Sequence, residues 1–341
     1  MNSRQRVLAA LRRQPVDRPP VCNPTSVATV PLMDLVGAPF PQAHRDAHTM
    51  TALAATSYTV LGFDSVMPVF SIVQESSALG CSIQWEEKGN WPSVRMHEPI
   101  WRRPADIRIP PNFLTHPDTR CVLEAIRLLR QQLGDEVAII GKTMGPWSLA
   151  YHCFGIETFL MMSLEDPEST RACLERLKEV TVQFGMAQLE AGADALTLPD
   201  HATGDLVSAE YYARYLRDLH AEFARRLPAP VILHICGRTL DRMEHIAETG
   251  VAAFHFDSKN PAGEARRAVR DRVALVGNVN NPHTLFTAGP AQVRQEVFRA
   301  LDEGVALIAP ECAIPLQTAT ENLVEIPRAV AAWHQQRAAR P

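Results

Sequence analysis

Several things this chain lacks narrow its class at once. It has no surplus of positive charge: 34 Lys and Arg face 38 Asp and Glu, a formal net charge of −4, which argues against a nucleic-acid binder or an anionic-membrane binder, both of which need a basic face. No apolar run approaches the ~18–20 residues of a membrane span. The opening MNSRQRVLAALRRQP is basic and amphipathic, without the apolar core of a secretory signal. There is no C-x-x-C pair, and seven cysteines in 341 residues are an odd number spread too thinly for a disulfide framework. A reducing, cytoplasmic setting suits them better. What is present is 46% hydrophobic content, enough for a large core and too much for a disordered chain.

Organisation along the chain follows from its rhythm. Prolines gather around Pro15–Pro24 and Pro104–Pro111, implying irregular loops rather than a hinge. From about residue 137 onward, short apolar runs alternate with segments of helical period. Strands are expected at Asp135–Gly141, Ala193–Leu198, Pro230–Leu233, Ala252–Phe256, Val273–Val276 and Val305–Ala309, with weaker runs at Val21–Asn23 and Asp64–Val69. Helices are expected at Thr119–Gln132, Pro167–Ala191, Ser208–Arg226, Leu240–Thr249, Pro290–Glu303 and Thr320–Arg337. Ser208 and Asp166 read as helix starts, and Gly192, Gly250 and Gly304 as stops.

Eight strands alternating with helices predict an α/β fold, a parallel (β/α)8 TIM barrel with additional N-terminal helices, as one domain over residues 1–341 with a helical extension over about 1–20. An open doubly wound sheet is the alternative. In a barrel, chemistry collects where strands end and βα loops begin.

His234 and Cys236 sit at one such end. Positions i and i+2 of a strand share a face, so both can turn to one ion. Cys312 follows the last strand and would project over the same mouth. Two sulfurs and one imidazole with a fourth position open is a catalytic zinc arrangement. A His or Cys in an apolar strand is also ordinary packing, and by spacing alone both readings stand. Cys22 and Cys153 read as packing. Among other strand-end residues, Asp200 and His201 are expected to face the mouth, or else to cap a helix or loop. Asn278 and Asn280 could bind substrate or simply make turns. Arg328, Arg337 and Arg340 read as a solvated helix face.

The segments LHICGRTLDRMEHIAETG, LVGNVNNPHTL and DEGVALIAPECAIP, with GPWSLAYHCFG and GADALTLPD before them, resemble the methylcobamide:thiol (coenzyme M) methyltransferases of the uroporphyrinogen decarboxylase superfamily. The similarity keeps its order over nearly the whole chain. It implies Zn2+ bound by His234, Cys236 and Cys312. It also implies a carboxylate at Asp257 able to fill the vacant position at rest, and an acidic residue of the second βα loop at Glu75. The family pattern has glycines either side of the last cysteine, whereas this chain has Glu311 and Ala313, which puts a carboxylate and extra bulk beside the metal and leaves the acceptor open.

The activity so implied is methyl transfer from methylcobalamin or another methylcorrinoid to a small thiol. A thiolate is the nucleophile, and coordination to zinc deprotonates a thiol. No Asp-x-His-x-x-Gly corrinoid motif is present, Asp46–Ala47–His48 being the nearest fragment, so a separate corrinoid protein is the expected partner. Three alternatives remain. Tetrahydrofolate could be the acceptor, read by Asp200, Asn278 and Glu311. Uroporphyrinogen decarboxylase itself needs an arginine-rich N-terminal loop, and Val21–Ala28 contains no arginine. A non-catalytic barrel binding a corrinoid protein comes last. A homodimer stays open.

Overall fold

A computed structural model describes residues 1–339; Arg340, read above as part of a solvated face, lies outside the described residues. The sheet is parallel and follows the chain: β1 (Ser65–Val66), then, after a small antiparallel hairpin of β2 (Ile83–Gln84) and β3 (Ser93–Val94), β4 (Ala138–Lys142), β5 (Ala195–Pro199), β6 (Val231–Ile235), β7 (Ala253–Phe256), β8 (Ala274–Val279) and β9 (Leu307–Pro310). The ring closes through the weak run at Val21. Cys22 N donates to Ile308 O at 2.9 Å, Ile308 N donates to Pro20 O at 3.0 Å, and Asp64 N donates to Val21 O at 2.7 Å. Val21 is thus the eighth stave, between β9 and β1, and the barrel reading holds over the open sheet.

Both faces of each barrel strand are covered, so β4 to β9 are buried at every position, which is why they read as continuous apolar runs rather than alternating ones. Observed strands begin one to three residues later than expected. At β5 the reason is visible: Asp194, expected in the strand, is held outside it by Arg4 and Arg130.

The helix Pro167–Ala191 runs as expected, from its Asp166 cap to Gly192. The helix expected over Ser208–Arg226 breaks at Leu216 into Ala209–Tyr215 and Arg217–Arg226, and Tyr212, Leu216, Leu219 and Phe223 are all buried across the break. The one expected over Leu240–Thr249 starts as a tight turn, Leu240–Arg242, before Met243–Glu248. There the Arg242 guanidinium is drawn inward to Ala202 O and Val207 O. Helices Pro146–Phe154 and Ile156–Glu165 were not expected, although Pro146 after Gly145 marks a helix start.

The N-terminal addition is larger than expected: Ser3–Leu11, Val30–Val36, Gln42–Arg45 and Ala47–Thr59 are all helical. Asn2 and Gln5 cap the first helix reciprocally. Its Arg6 reaches under the barrel to the fully buried Asp64, 2.7 Å away, which Arg18 also pairs at 2.8 Å. Asp64 in turn accepts the Val21 amide, so this ionic cluster pins the closing stave at the end remote from the site. Among the described residues, no helix is long and apolar enough to cross a membrane.

Candidate metal centre

β6 and β7 pair so that His234 lies opposite His255. The His234 Nδ1–H donates to the His255 carbonyl at 3.2 Å. A carbonyl can only accept, so the proton sits on Nδ1 and Nε2 presents its lone pair to the barrel mouth. Cys236 Sγ lies 2.9 Å from that nitrogen. Cys312 Sγ, two residues past β9, lies 3.5 Å from the nitrogen and 2.8 Å from Cys236 Sγ. One long-range bond and one local turn bring these groups together. The His255 ring donates from Nε2 to Pro310 O at 2.7 Å, tying β7 to the strand that delivers Cys312. At Gly237 the chain turns with φ +79°, and a Cβ there would meet Thr203 Oγ1 at 2.4 Å, so the residue after Cys236 must be glycine.

His234, Cys236 and Cys312 are the three residues among those described whose ligating atoms all fall within 4.8 Å of one another. The hydrogen bond from Cys236, with His234 nearby, holds Cys312 well below the ordinary thiol range, while that same bond and burial push Cys236 up. Two sulfurs that give up their protons on coordination and one imidazole lone pair are the donor chemistry zinc takes. A four-coordinate ion spaces such donors by roughly 3.5–3.8 Å; His234 and Cys312 already stand at that separation, and the two sulfurs would part by about 1 Å. The residues fit the metal.

The other expected site residues divide. His201 lines the same cavity, its imidazolium disfavoured first by burial and then by His234. Asp257 stands beside the pair, and its carboxylate accepts from Gly237 N at 3.0 Å and Lys259 N at 2.8 Å, fixing the turn behind Cys236. Glu311 faces sideways. It accepts from Ser258 N at 2.9 Å and Asn281 N at 2.8 Å, latching the loops after β7 and β8 together. Burial raises its pKa.

Asn278 donates to Asn260 O at 3.3 Å, and Asn280 caps the following turn. Asp200 does not line the cavity. Its carboxylate accepts Ser148 N at 2.8 Å and lies 3.1 Å from His220 Nε2, fully buried at the start of the helix Pro146–Phe154. The helix-capping alternative describes it. Glu75 is buried too, accepting Met144 N at 2.8 Å.

A cavity of about 240 Å³ opens over the cluster, walled by Phe70, Trp91 and Pro199, with His201, His234, Cys312 and Lys142 facing it. A larger groove of about 580 Å³ lies near Arg13 and Trp333 but, among the described residues, holds no metal-ligating cluster. Lys142 went unnoticed in the sequence, although a lysine ending the apolar run of β4 was a signal. Burial lowers its pKa to about 7, with Glu75 and Cys312 pulling the other way.

A family model described as uroporphyrinogen decarboxylase matches residues 2–333. The chain is 32% identical over 320 residues to the methylcobamide:CoM methyltransferase MtaA of Methanosarcina barkeri, covering 93% of this chain and 94% of that protein. It is 30% identical to a uroporphyrinogen decarboxylase of Alkalilimnicola ehrlichii, over 87% of this chain and 84% of that one. A solved methyltransferase from Methanosarcina mazei superposes with a TM-score of 0.95 at 29% identity, over 98% of this chain and 99% of that structure.

Proposed function

The chain belongs to the uroporphyrinogen decarboxylase family, and from that membership we propose that it is a zinc-dependent methyltransferase. It moves a methyl group from a methylcorrinoid, carried on a separate corrinoid protein, to a small thiol such as coenzyme M. The observation that carries the reading is the convergence of His234, Cys236 and Cys312 at the barrel mouth, with the imidazole lone pair aimed at both sulfurs.

His234, Cys236 and Cys312 hold the metal. Zinc bound there supplies acidity, turning a neutral thiol into the thiolate nucleophile at ordinary pH. The chain's own groups do the rest. The His255 carbonyl keeps the His234 proton on Nδ1, as outer partners of metal-bound histidines do. Phe70, Trp91 and Pro199 wall the acceptor from water. His201, disfavoured as an imidazolium by burial, adds no positive charge of its own beside the sulfur.

The size of the cavity favours a thiol over a folate. The cavity over the cluster is about 240 Å³ and walled by Phe70 and Trp91, which suits a small thiol, whereas tetrahydrofolate, with its pterin, aminobenzoate and glutamate, would have to extend out of it. Decarboxylation of a tetrapyrrole is disfavoured by the Val21–Ala28 stretch, which offers no arginine for propionates.

The test is methyl transfer from methylcobalamin to thiols, run beside tetrahydrofolate, with carbon dioxide release from uroporphyrinogen as a third arm. The reading requires thiol methylation that depends on Cys312. Turnover with folate alone overturns the acceptor, and decarboxylation overturns the reaction.

A further inference from the structure

The described residues leave seven large apolar side chains exposed, and four of them gather in one place. Ile156, Met161 and Leu164 lie on the helix Ile156–Glu165, and Leu206 lies on the loop after β5, each between 39% and 59% exposed. An outward helix face is ordinarily polar; here positions i, i+4 and i+8 are Ile156, Leu160 and Leu164. Leu164 and Leu206 line a groove of about 300 Å³, with the fully buried Trp147 at its floor. The polar groups there are already bonded. Ser163 Oγ donates to Leu160 O at 2.7 Å, Ser208 Oγ accepts from Tyr211 N at 3.2 Å, and Trp147 Nε1 donates to Tyr151 Oη at 2.6 Å. The groove therefore offers apolar contact and little else.

It is also tied to the metal centre. Its walls come from the segments that follow β4 and β5, at the end of the barrel where the cavity opens. Trp147 adjoins Ser148, whose N–H donates to Asp200 at 2.8 Å and whose Oγ accepts from His201 N at 2.7 Å. One bonded unit thus carries both the groove floor and the histidine that lines the cavity.

A methylcorrinoid held by its own protein is too broad for a cavity of about 240 Å³. It has to be presented from outside, so its carrier must cover part of the rim. The four side chains expose on the order of 400 Å², the size at which a patch marks an interaction site. That is well short of the ~1,000 Å² or more per subunit that an obligate dimer buries. It matches a partner that leaves after every transfer.

We propose that this groove is the docking site of the corrinoid protein, which seats an apolar side chain between Leu164 and Leu206 and so sets its cobalt over the cavity. This rests on the corrinoid-to-thiol reading above and adds the surface that recognises the partner. No bond is made or broken at the groove.

The test measures methyl transfer to coenzyme M from two donors, in the wild type, Leu164→Glu, Leu206→Glu and Leu164→Met. One donor is free methylcobalamin; the other is a methylated corrinoid protein of the source organism that carries the Asp-x-His-x-x-Gly motif. Both leucines are exposed, so their replacement should leave the fold intact. Loss of an apolar anchor lowers kcat/KM for the protein-borne donor by roughly 10- to 100-fold, through KM, while free methylcobalamin reacts as in the wild type. Leu164→Met keeps the apolar surface and stays within about threefold of wild type. Equal losses for both donors, or an unchanged kcat/KM for the protein-borne donor in both glutamate variants, overturn the assignment.

Calorimetric titration of the same corrinoid protein into the purified chain separates docking from the reaction. If the wild type methylates no thiol, the methyl-transfer reading fails. Binding that Leu164→Glu weakens by about tenfold or more then still supports the groove, and absence of binding overturns it. Sedimentation equilibrium covers the other occupant: a wild-type dimer that Leu164→Glu turns into monomers assigns the groove to a second copy of this chain and overturns the proposal.

Discussion

Replacing His255 by leucine separates holding the metal from holding the fold. The ring is fully buried and lies 4.5 Å, centroid to centroid, from His234, tilted by 32°. Its Nε2–H satisfies Pro310 O, while its Nδ1 has no hydrogen-bond partner. Leucine leaves Pro310 O without its donor, at about 1–3 kcal/mol for an orphaned buried acceptor, but it also removes the orphaned Nδ1 and the penalty that goes with it. These two largely offset, so global stability should fall by only about 1 kcal/mol. The metal site loses more. Pro310 leads directly into Cys312, and the ring is what registers that strand end against His234. The carbonyl that accepts from His234 is backbone and survives the substitution, so the loss should sit at the lower end of the roughly 10–100-fold that changes around metal ligands cost, about 1.4 kcal/mol. Zinc affinity measured against a competing chelator, beside urea unfolding of the metal-free protein, reads both quantities. Wild-type zinc affinity in His255→Leu would refute this reasoning, as would a loss of folding stability equal to the loss of affinity.

Asp64→Asn leaves Arg6 and Arg18 facing a neutral amide beneath the barrel, and breaking such a buried cluster should cost about 3–5 kcal/mol in chemical unfolding while leaving zinc content near wild type. Asp200→Ala should lower the melting temperature through the lost cap and the lost His220 partner, with KM for the thiol little changed; a large rise in KM at unaltered stability would return Asp200 to the substrate site. Burial holds His44 and His152 at about 3, well under the ordinary 6.5. The unfolded chain therefore takes up their protons first, and the stability they confer is complete above pH ~6.5 and lost as pH falls towards 3, at ~1.4 kcal/mol per pH unit for each histidine. Unfolding free energies of His152→Gln across that range should be flatter than wild type by one such slope.

The barrel was legible because its strands are buried on both faces, which leaves uninterrupted apolar runs between capped helices such as Pro167–Ala191. Its closure was harder to see. Val21 contributes a stave of one bridged residue, held by backbone bonds and by Asp64, and no periodicity marks so short an element. The break at Leu216 and the tight turn at Leu240 depend on what Tyr212 and Arg242 meet in three dimensions, which local propensity does not encode.

At the site, His234, Cys236 and Cys312 were readable because each ends a strand. Asp200, Glu311 and Asp257 stand at similar positions, yet their carboxylates are taken up by amides of neighbouring loops and helices, and a strand-end carboxylate gives no sign in sequence of which way it will turn. Lys142 was hidden by the opposite error, a lone charge closing an apolar run and passed over as its boundary. His255 carries its role through a ring that only the pairing of β6, β7 and β9 brings to Pro310.

The zinc content of the purified protein, with Cys312→Ala alongside it, tests the account at its root. Elemental analysis should find about one zinc per chain in the wild type, and the variant should lose both the metal and thiol methylation while keeping its fold by circular dichroism. A wild-type chain that methylates thiols at full rate without zinc, or a Cys312→Ala chain that keeps its metal and its activity, would contradict it.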